Sequence, residues 1–173
     1  MKNIYLIGLM GTGKTAVGQL LAQKLGLDFV DLDDVIEQKE GTSISLIFQQ
    51  KGEPYFRKVE KEAVREISQK SDLVVGCGGG AVINQENLDH LKKTGTVICL
   101  EARPEVILNR TKEARHRPLL NVEDPEKKIE ELLSQRAPFY AQAHFTIDTS
   151  RLSVEEVAQR IIDLLEKNSE KVS

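Results

Sequence analysis

One octapeptide near the N-terminus limits the possible folds of this chain more than any other feature. Residues 8–15 read Gly-Leu-Met-Gly-Thr-Gly-Lys-Thr and fit the pattern G-x-x-x-x-G-K-[ST]. A short apolar run, Ile4 to Ile7, precedes the motif, and a helical pattern that includes Val17 and Leu21 follows it. Strand, glycine-rich loop and helix in this order are typical of a loop that wraps a phosphate group. The motif therefore predicts a phosphate-binding loop at the start of an α/β domain.

The rest of the chain continues the alternation of short apolar runs with amphipathic stretches. The five runs are Ile4 to Ile7, Phe29 to Asp31, Leu73 to Val75, Val97 to Leu100 and Phe145 to Ile147. Continuous apolar runs are typical of parallel strands that are covered on both faces. Helices between such strands predict βαβ units and a three-layer α/β/α sandwich. The spacing Ser153-x-x-Glu156 is a capping box and predicts the start of the last helix.

Length, charge and cysteine content narrow the class of protein. The 173 residues suit one domain, and a net charge of −3 argues against general nucleic-acid binding. Cys77 and Cys99 lie in apolar runs without a C-x-x-C pair, which favours buried thiols in a reducing compartment. The apolar run at the N-terminus is too short for a signal peptide or a membrane span. We therefore expect a cytoplasmic protein with no membrane partner, and a monomer because no apolar interface stripe is evident.

The phosphate-binding loop, residues 8–15, predicts ATP binding with Mg²⁺. Its glycines let successive backbone N–H groups point at one anion, and the following helix N-terminus adds positive charge. Lys14 is expected to reach the β- and γ-phosphates, and the Thr15 hydroxyl is expected to bind Mg²⁺. The expected nucleotide contacts in this region are Gly11, Thr12, Gly13, Lys14, Thr15 and Ala16.

An acidic group follows the second apolar run. Asp31, Asp33 and Asp34 lie where a strand of an α/β sheet would end, which is the edge at which ligands bind. In an extended chain Asp31 and Asp33 point to the same side. Asp31 could hold a magnesium-bound water, and Asp33 could accept a proton from an acceptor hydroxyl or orient that hydroxyl. Asp34 is expected to cap a helix that starts near Val35.

Glycines and arginines farther along the chain indicate an acceptor site. Residues 78–80, here called the glycine triplet, close the third apolar run and would let the backbone approach a ligand. Arg57 lies at the start of a helix that runs to about Gln69, and Arg136 ends the helix that precedes Pro138. An arginine fork matches a carboxylate, although each position alone is typical of a surface residue.

The segment from Thr111 to Asp124, here called the lid segment, is polar and charged, and the next helix is expected to start at Pro125. A long loop in a compact domain is often a lid. Basic side chains in and beside it indicate either contact with a triphosphate or a solvated loop. They are Arg110, Lys112, Arg115, His116 and Arg117.

Taken in order, these motifs resemble those of the shikimate kinase family over nearly the whole chain. The matching pieces are the phosphate-binding loop, Asp31-Leu-Asp33, Phe56-Arg57, the glycine triplet, Arg117-Pro-Leu-Leu120 and Arg136-Ala-Pro138. The resemblance implies one domain, residues 1–173, with a five-stranded parallel sheet of order 2-3-1-4-5. It also implies a substrate-binding subdomain at about residues 32–62 and a lid at about residues 111–124.

The resemblance further implies a reaction, in which ATP and shikimate give ADP and shikimate 3-phosphate, within aromatic amino-acid biosynthesis. Lys14, Asp33 and Arg117 would be the catalytic residues. The implied acceptor contacts are Asp33 on the ring hydroxyls, Arg57 and Arg136 on the carboxylate, and Gly78, Gly79 and Gly80 along the substrate. The implied nucleotide contacts include Arg117 on the transferring phosphate and Arg110 near adenine. Arg151 is the nearest candidate for a second adenine contact, although Leu152 and Val154 depart from the family pattern.

Three other functions are compatible with parts of this pattern. A gluconate kinase also binds a carboxylate and hydroxyls, so the arginines alone do not exclude it. A nucleoside monophosphate kinase would share the phosphate-binding loop. A nucleotide-gated interaction protein would keep the loop without catalysis, but the joint presence of Lys14, Thr15, Asp33 and Arg117 argues against it.

Overall fold

A parallel sheet of five strands forms the centre of the domain. The computed structural model describes residues 2–112 and 120–172, with only the backbone at 172. Within these residues the strands are β1 (Asn3–Ile7), β2 (Asp28–Asp31), β3 (Leu73–Gly76), β4 (Gly95–Glu101) and β5 (Phe145–Asp148). All neighbouring strands pair in parallel, in the order β2-β3-β1-β4-β5. The predicted strand order and all five predicted strands are confirmed.

Helices cover both faces of the sheet. They are α1 (Lys14–Leu25), α2 (Leu32–Glu40), α3 (Ile44–Ser68), α4 (Gln85–Thr94), α5 (Pro104–Thr111), α6 (Pro125–Tyr140) and α7 (Val154–Val172), with a 3₁₀ turn at Ala81–Ile83. Buried side chains of α1 and α7 share one core cluster, whereas those of α2 to α6 share the other. The domain is therefore the expected three-layer sandwich. No helix in the described part of the chain is long and apolar enough to cross a membrane.

Strand β1 shows why the apolar runs are continuous. Ile4 and Leu6 pack toward α1 and α7, whereas Tyr5 and Ile7 pack toward the opposite layer. All four are almost completely buried, so alternation between apolar and polar residues would place polar groups in a core. Full burial of one such aliphatic side chain contributes about 1.5–3 kcal/mol to folding.

The predicted capping box at the start of α7 is confirmed. The backbone N–H of Ser153 donates to Glu156 Oε2 at 2.7 Å, and the N–H of Glu156 donates to Ser153 Oγ at 3.1 Å. Each side chain thus binds a backbone donor that has no partner within the helix. The box holds the start of α7 directly after the segment that follows β5.

The expected start of α2 is wrong. The helix begins at Leu32, and its cap is Asp31, whose Oδ1 accepts from the N–H groups of Asp33 at 2.9 Å and Asp34 at 3.4 Å. Strand β2 ends at Asp31, so the carboxylate at the strand end is the one that reaches the second and third helical N–H groups. Asp33 is consequently helical rather than extended, and Asp34 is not the cap.

The helix that carries Arg136 differs from expectation, whereas the helical part that carries Arg57 is close to it. Helix α6 continues through Pro138 to Tyr140, because a proline near the end of a helix removes only one backbone bond. Arg136 therefore lies inside the helix. Helix α3 begins at Ile44 but is kinked at Gly52, where φ is 82°. Arg57 lies one turn after this kink, and the helix ends at Ser68, close to the expected Gln69.

Candidate active site

The phosphate-binding loop joins β1 to α1 at the carboxyl edge of the sheet. Gly13 is the cap residue of α1 and has φ of 100°, a conformation that a side chain disfavours. The Thr12 hydroxyl donates to Leu9 O at 2.8 Å, and Lys14 Nζ donates to Gly8 O at 2.7 Å and Leu9 O at 2.9 Å. These bonds hold the ammonium group of Lys14 against the loop, at the positive end of α1. A helix N-terminus with an adjacent lysine suits a phosphate.

Arg110 is held against this loop by a buried threonine. Its Nη1 donates to Gly11 O at 3.2 Å and Thr149 Oγ1 at 3.0 Å, and its Nη2 donates to Thr149 O at 2.8 Å. The Thr149 hydroxyl also lies 3.0 Å from Thr12 O and 2.9 Å from Glu101 O. Thr149 therefore links the end of β4, the loop and Arg110. Thr149 was not predicted from the sequence, where its one available signal was its position two residues after the last apolar run.

A cavity of about 210 Å³ lies beside Arg110. Its lining residues come from the phosphate-binding loop, α1, α5, the segment after β5 and the start of α7: Thr12, Gly13, Val17, Arg110, Thr149, Leu152, Val154 and Val157. The cavity combines a cationic group with aliphatic side chains, which suits a nucleobase. Next to the expected Arg151, the residues that line the cavity are Leu152 and Val154, the first residue of α7.

The glycine triplet packs directly against the three proposed acceptor-binding side chains. A Cβ at Gly78, Gly79 or Gly80 would lie 2.7 Å from Asp33 Oδ1, 2.7 Å from Arg136 Nη1 or 2.6 Å from Arg57 Nη2, respectively. The Cβ at Gly79 would also lie 3.5 Å from Gly8 O. The structure thus brings the triplet, these three side chains and the phosphate-binding loop together. Three glycines are needed because each one faces a different functional group.

A buried glutamate fixes Arg57. Arg57 Nη1 donates to Glu60 Oε1 at 2.8 Å, and Arg57 also contacts the more exposed Glu53 at 3.4 Å. Glu60 is 2% exposed, and burial raises the pKa of its carboxyl. The neighbouring Arg57 and Arg136 oppose this increase but do not cancel it. Sequence analysis missed Glu60, although its spacing of three residues from Arg57 on a helix was a usable signal.

Arg136 is buried, contrary to its expectation as a surface residue. Only 4% of the residue is exposed, and its Nε has no hydrogen-bond partner within the described residues. Burying a charged donor without an acceptor costs free energy, so such a group usually meets an anion when ligand is bound. A buried guanidinium beside the glycine triplet suits a carboxylate.

Asp33 has an unusually basic carboxylate. Burial raises its pKa from 3.8 to about 6, with further increases from Asp31 and Glu60 and a decrease from Lys14. At neutral pH the group is still mostly ionised, but it holds a proton more readily than an ordinary aspartate. A pKa nearer neutrality makes a carboxylate a better general base.

Thr15 and Asp31 fit a magnesium ion that is bound mainly by nucleotide. Both capping bonds use Asp31 Oδ1, so the cap leaves Oδ2 unused. Within residues 2–112 and 120–172, no group of three or more His, Cys, Asp and Glu side chains could hold a metal ion. Mg²⁺ usually takes one or two protein ligands and completes its shell with phosphates and waters. The donor set therefore suits a metal that arrives with ATP.

The lid segment is described only at its two ends. Helix α5 ends at Thr111 and α6 begins at Pro125, as expected. Arg117, with Arg115, His116 and the Pro118-Leu119 pair, lies outside the described residues. Its role as a catalytic arginine stays a prediction.

Comparisons with known proteins agree with the family that the sequence motifs resemble. The family model described as shikimate kinase matches residues 10–166. A shikimate kinase of Thermodesulfovibrio yellowstonii is 52% identical over 169 residues, which cover 98% of each chain. The structure of the shikimate kinase from Acinetobacter baumannii in complex with shikimate has a TM-score of 0.94 at 43% identity, covering 97% of this chain and 94% of that one.

A gluconokinase from Sinorhizobium meliloti is more distant. It has a TM-score of 0.66 at 16% identity, covers 99% of this chain and 95% of its own, and shares the fold alone. This chain is therefore much less similar to that gluconokinase than to the shikimate kinases. Since the family model covers most of the chain and a full-length relative is half identical, this chain belongs to the shikimate kinase family.

Proposed function

We propose that this chain transfers the γ-phosphoryl group of ATP to the 3-hydroxyl of shikimate, with Mg²⁺ on the nucleotide. The observation that most supports the proposal is the meeting of Asp33, Arg57 and Arg136 on the glycine triplet, beside the phosphate-binding loop. Shikimate offers a carboxylate and ring hydroxyls, which are the groups that such a set would bind. The family membership supports the same acceptor.

The acceptor would be held at both ends. Arg57 and Arg136 would donate charge-assisted hydrogen bonds to its carboxylate, each worth about 1.5–3 kcal/mol. Asp33 would accept the proton of the attacked hydroxyl. As the hydroxyl oxygen bonds to the γ-phosphorus, the bond between that phosphorus and the β–γ bridging oxygen breaks, and ADP leaves. Glu60 would keep the Arg57 fork in place through its 2.8 Å contact.

The nucleotide would be bound along the loop and the cavity. Backbone N–H groups from Gly11 to Ala16 would surround the phosphates, and Lys14 would neutralise the β- and γ-phosphates. Bound Mg²⁺ would neutralise phosphate charge; Thr15 would bind it directly and Asp31 through water. Arg110 and the aliphatic wall of the cavity would contact the base.

The lid segment would complete the site. In this proposal Arg117 comes onto the transferring phosphate, where an arginine stabilises the developing charge. Residues 32–62, which comprise α2 and most of α3, would act as the substrate-binding subdomain. We further propose that the enzyme works as a monomer in the cytoplasm, consistent with its slightly acidic composition.

A single acceptor panel tests the function. ADP release would be followed with a coupled assay in the presence of ATP, Mg²⁺ and shikimate, gluconate, AMP, CMP or UMP. Of these acceptors, we expect only shikimate to give rapid turnover. The ³¹P NMR spectrum of the product should show a phosphate monoester at the 3-position. Faster turnover with gluconate or a nucleotide would refute the acceptor assignment. ATP binding without shikimate-dependent ADP release would instead indicate a non-catalytic binding protein.

A further inference from the structure

Tyr140 lies between the helix that carries Arg136 and the glycine triplet. Tyr140 and Arg136 are four residues apart on α6, so their side chains lie on the same face of the helix. The Tyr140 hydroxyl donates to the carbonyl oxygen of Gly79 at 2.7 Å, across 61 residues of sequence. The residue is 4% exposed, so water does not compete for this bond.

The same hydroxyl also contacts Arg136. The Arg136 guanidinium hydrogen-bonds to the hydroxyl and lowers its pKa, but burial has the larger effect and raises that pKa to about 12. The phenol is therefore protonated throughout the physiological range. It donates its one proton to Gly79 O and accepts from Arg136.

Gly79 closes a triangle of contacts. A Cβ at Gly79 would lie 2.7 Å from Arg136 Nη1 and 3.7 Å from the Tyr140 hydroxyl. Arg136 thus lies directly against the triplet, while Tyr140 contacts both. A change in the position of the hydroxyl would therefore change where the guanidinium lies relative to the glycine backbone.

We propose that Tyr140 is a positioning residue, whose hydroxyl fixes Arg136 relative to the glycine triplet and thereby sets the affinity for the acceptor carboxylate. The inference rests on the proposed role of Arg136 in binding shikimate. It assigns a function in acceptor binding to a side chain that does not need to touch the substrate.

The variant Tyr140→Phe removes the hydroxyl and keeps the ring. We expect the KM for shikimate to rise about tenfold, which corresponds to about 1.4 kcal/mol, with the KM for ATP and kcat within about twofold. Tyr5→Phe is the matched control: Tyr5 is fully buried, and its hydroxyl bonds Asn3 at 2.9 Å and Thr94 at 2.8 Å, in a network that does not include the site. Both variants should lower the melting temperature, but only Tyr140→Phe should raise the KM for shikimate.

Three results would overturn the inference. They are an unchanged shikimate KM in Tyr140→Phe, equal increases in both KM values, or the same shikimate effect in Tyr5→Phe. Arg136→Met separates this inference from the proposed function. If Arg136→Met leaves the shikimate KM unchanged, the acceptor site itself is wrong. If Arg136→Met weakens shikimate binding and Tyr140→Phe does not, only the inference about Tyr140 fails.

A measurement on the unmodified protein covers the case in which Tyr140→Phe does not fold. The chain has three tyrosines, Tyr5, Tyr55 and Tyr140, so a sample with [¹³Cζ]tyrosine should give three NMR signals. Tyr5→Phe and Tyr55→Phe assign them by elimination. We expect added shikimate to shift the Tyr140 signal and leave the Tyr5 signal unchanged. A Tyr140 signal that does not respond to saturating shikimate would contradict the proposal.

Discussion

The raised pKa of Asp33 makes the acidic side of the pH profile a direct test of its role as base. Only the ionised carboxylate can accept the hydroxyl proton, so activity should fall as pH falls through the pKa of about 6. At pH 5 about nine-tenths of the enzyme would be protonated at Asp33, and kcat/KM for shikimate should be about tenfold below its plateau. An aspartate with an ordinary pKa of 3.8 would show almost no loss at that pH.

The variant Asp33→Asn should remove this acidic limb together with most of the activity. We expect kcat to fall by about 10²–10⁴. The adjacent Asp34→Asn is the control, because Asp34 lies at the surface and takes no part in the proposed chemistry. Steady-state kinetics from pH 4.5 to 9 measures both variants. An acidic limb near pH 4, or a loss confined to KM in Asp33→Asn, would show that Asp33 orients the hydroxyl rather than accepting its proton.

The same pKa shift predicts that Asp33→Asn makes the fold more stable. Because the folded-state pKa is raised, the ionised carboxylate destabilises the fold; this cost is absent below pH 3.8 and complete above about pH 6. A shift of this size corresponds to about 2–3 kcal/mol at pH 7.5. Asp33→Asn should therefore unfold at higher denaturant concentration than the unmodified protein at pH 7.5, and the difference should shrink toward pH 4. An active-site group that lowers stability in this way is a common feature of enzymes.

Substitutions at three further positions, and hydrogen exchange of the lid segment, test the nucleotide side of the site. Lys14→Ala should abolish turnover with an unchanged circular dichroism spectrum, and substantial residual activity would refute the loop as the catalytic phosphate site. Arg117→Ala should lower kcat by about 10³–10⁵ with a smaller effect on the shikimate KM. Hydrogen exchange of residues 111–124 should slow when ATP and shikimate analogues bind, and unchanged exchange would contradict a lid. Thr149→Val should raise the ATP KM several-fold while Thr149→Ser should not, because only the former removes the hydroxyl that holds Arg110; equal effects would refute this role.

The sheet and its order could be expected before the structure was known, for a physical reason. Strands buried on both faces need continuous apolar runs, and the resemblance supplied the connection order. The ends of helices and strands near polar residues were harder to predict from the sequence. Asp31, Asp33 and Asp34 can each cap a helix, and the choice depends on where pairing of β2 with β3 ends, which is a tertiary fact.

The side chains proposed to bind the acceptor could also be identified from the sequence, whereas most of the residues that hold them in place could not. Arg57 and Arg136 belong to motifs, and Glu60 lies only three residues from Arg57 on α3. Thr149 and Tyr140, in contrast, act through contacts between elements distant in sequence. Thr149 joins the loop across 137 residues, and no local pattern marks such a contact. The burial of Arg136 is likewise a property of how α6 packs on the sheet.

The glycine triplet shows how one short motif could control the proposed acceptor site. Strand β3 ends just before it, so the position of its backbone is fixed by pairing with β1 and β2 on both sides. Three helices each bring one functional group against this rigid backbone: α2 brings Asp33, α3 brings Arg57 and α6 brings Arg136. The mutual distances of Asp33 and the two arginines are therefore set by contact with one segment rather than by three separate helix–helix interfaces. A methyl group at any of the three positions would displace a different group, and so the requirement for glycine extends over three consecutive residues.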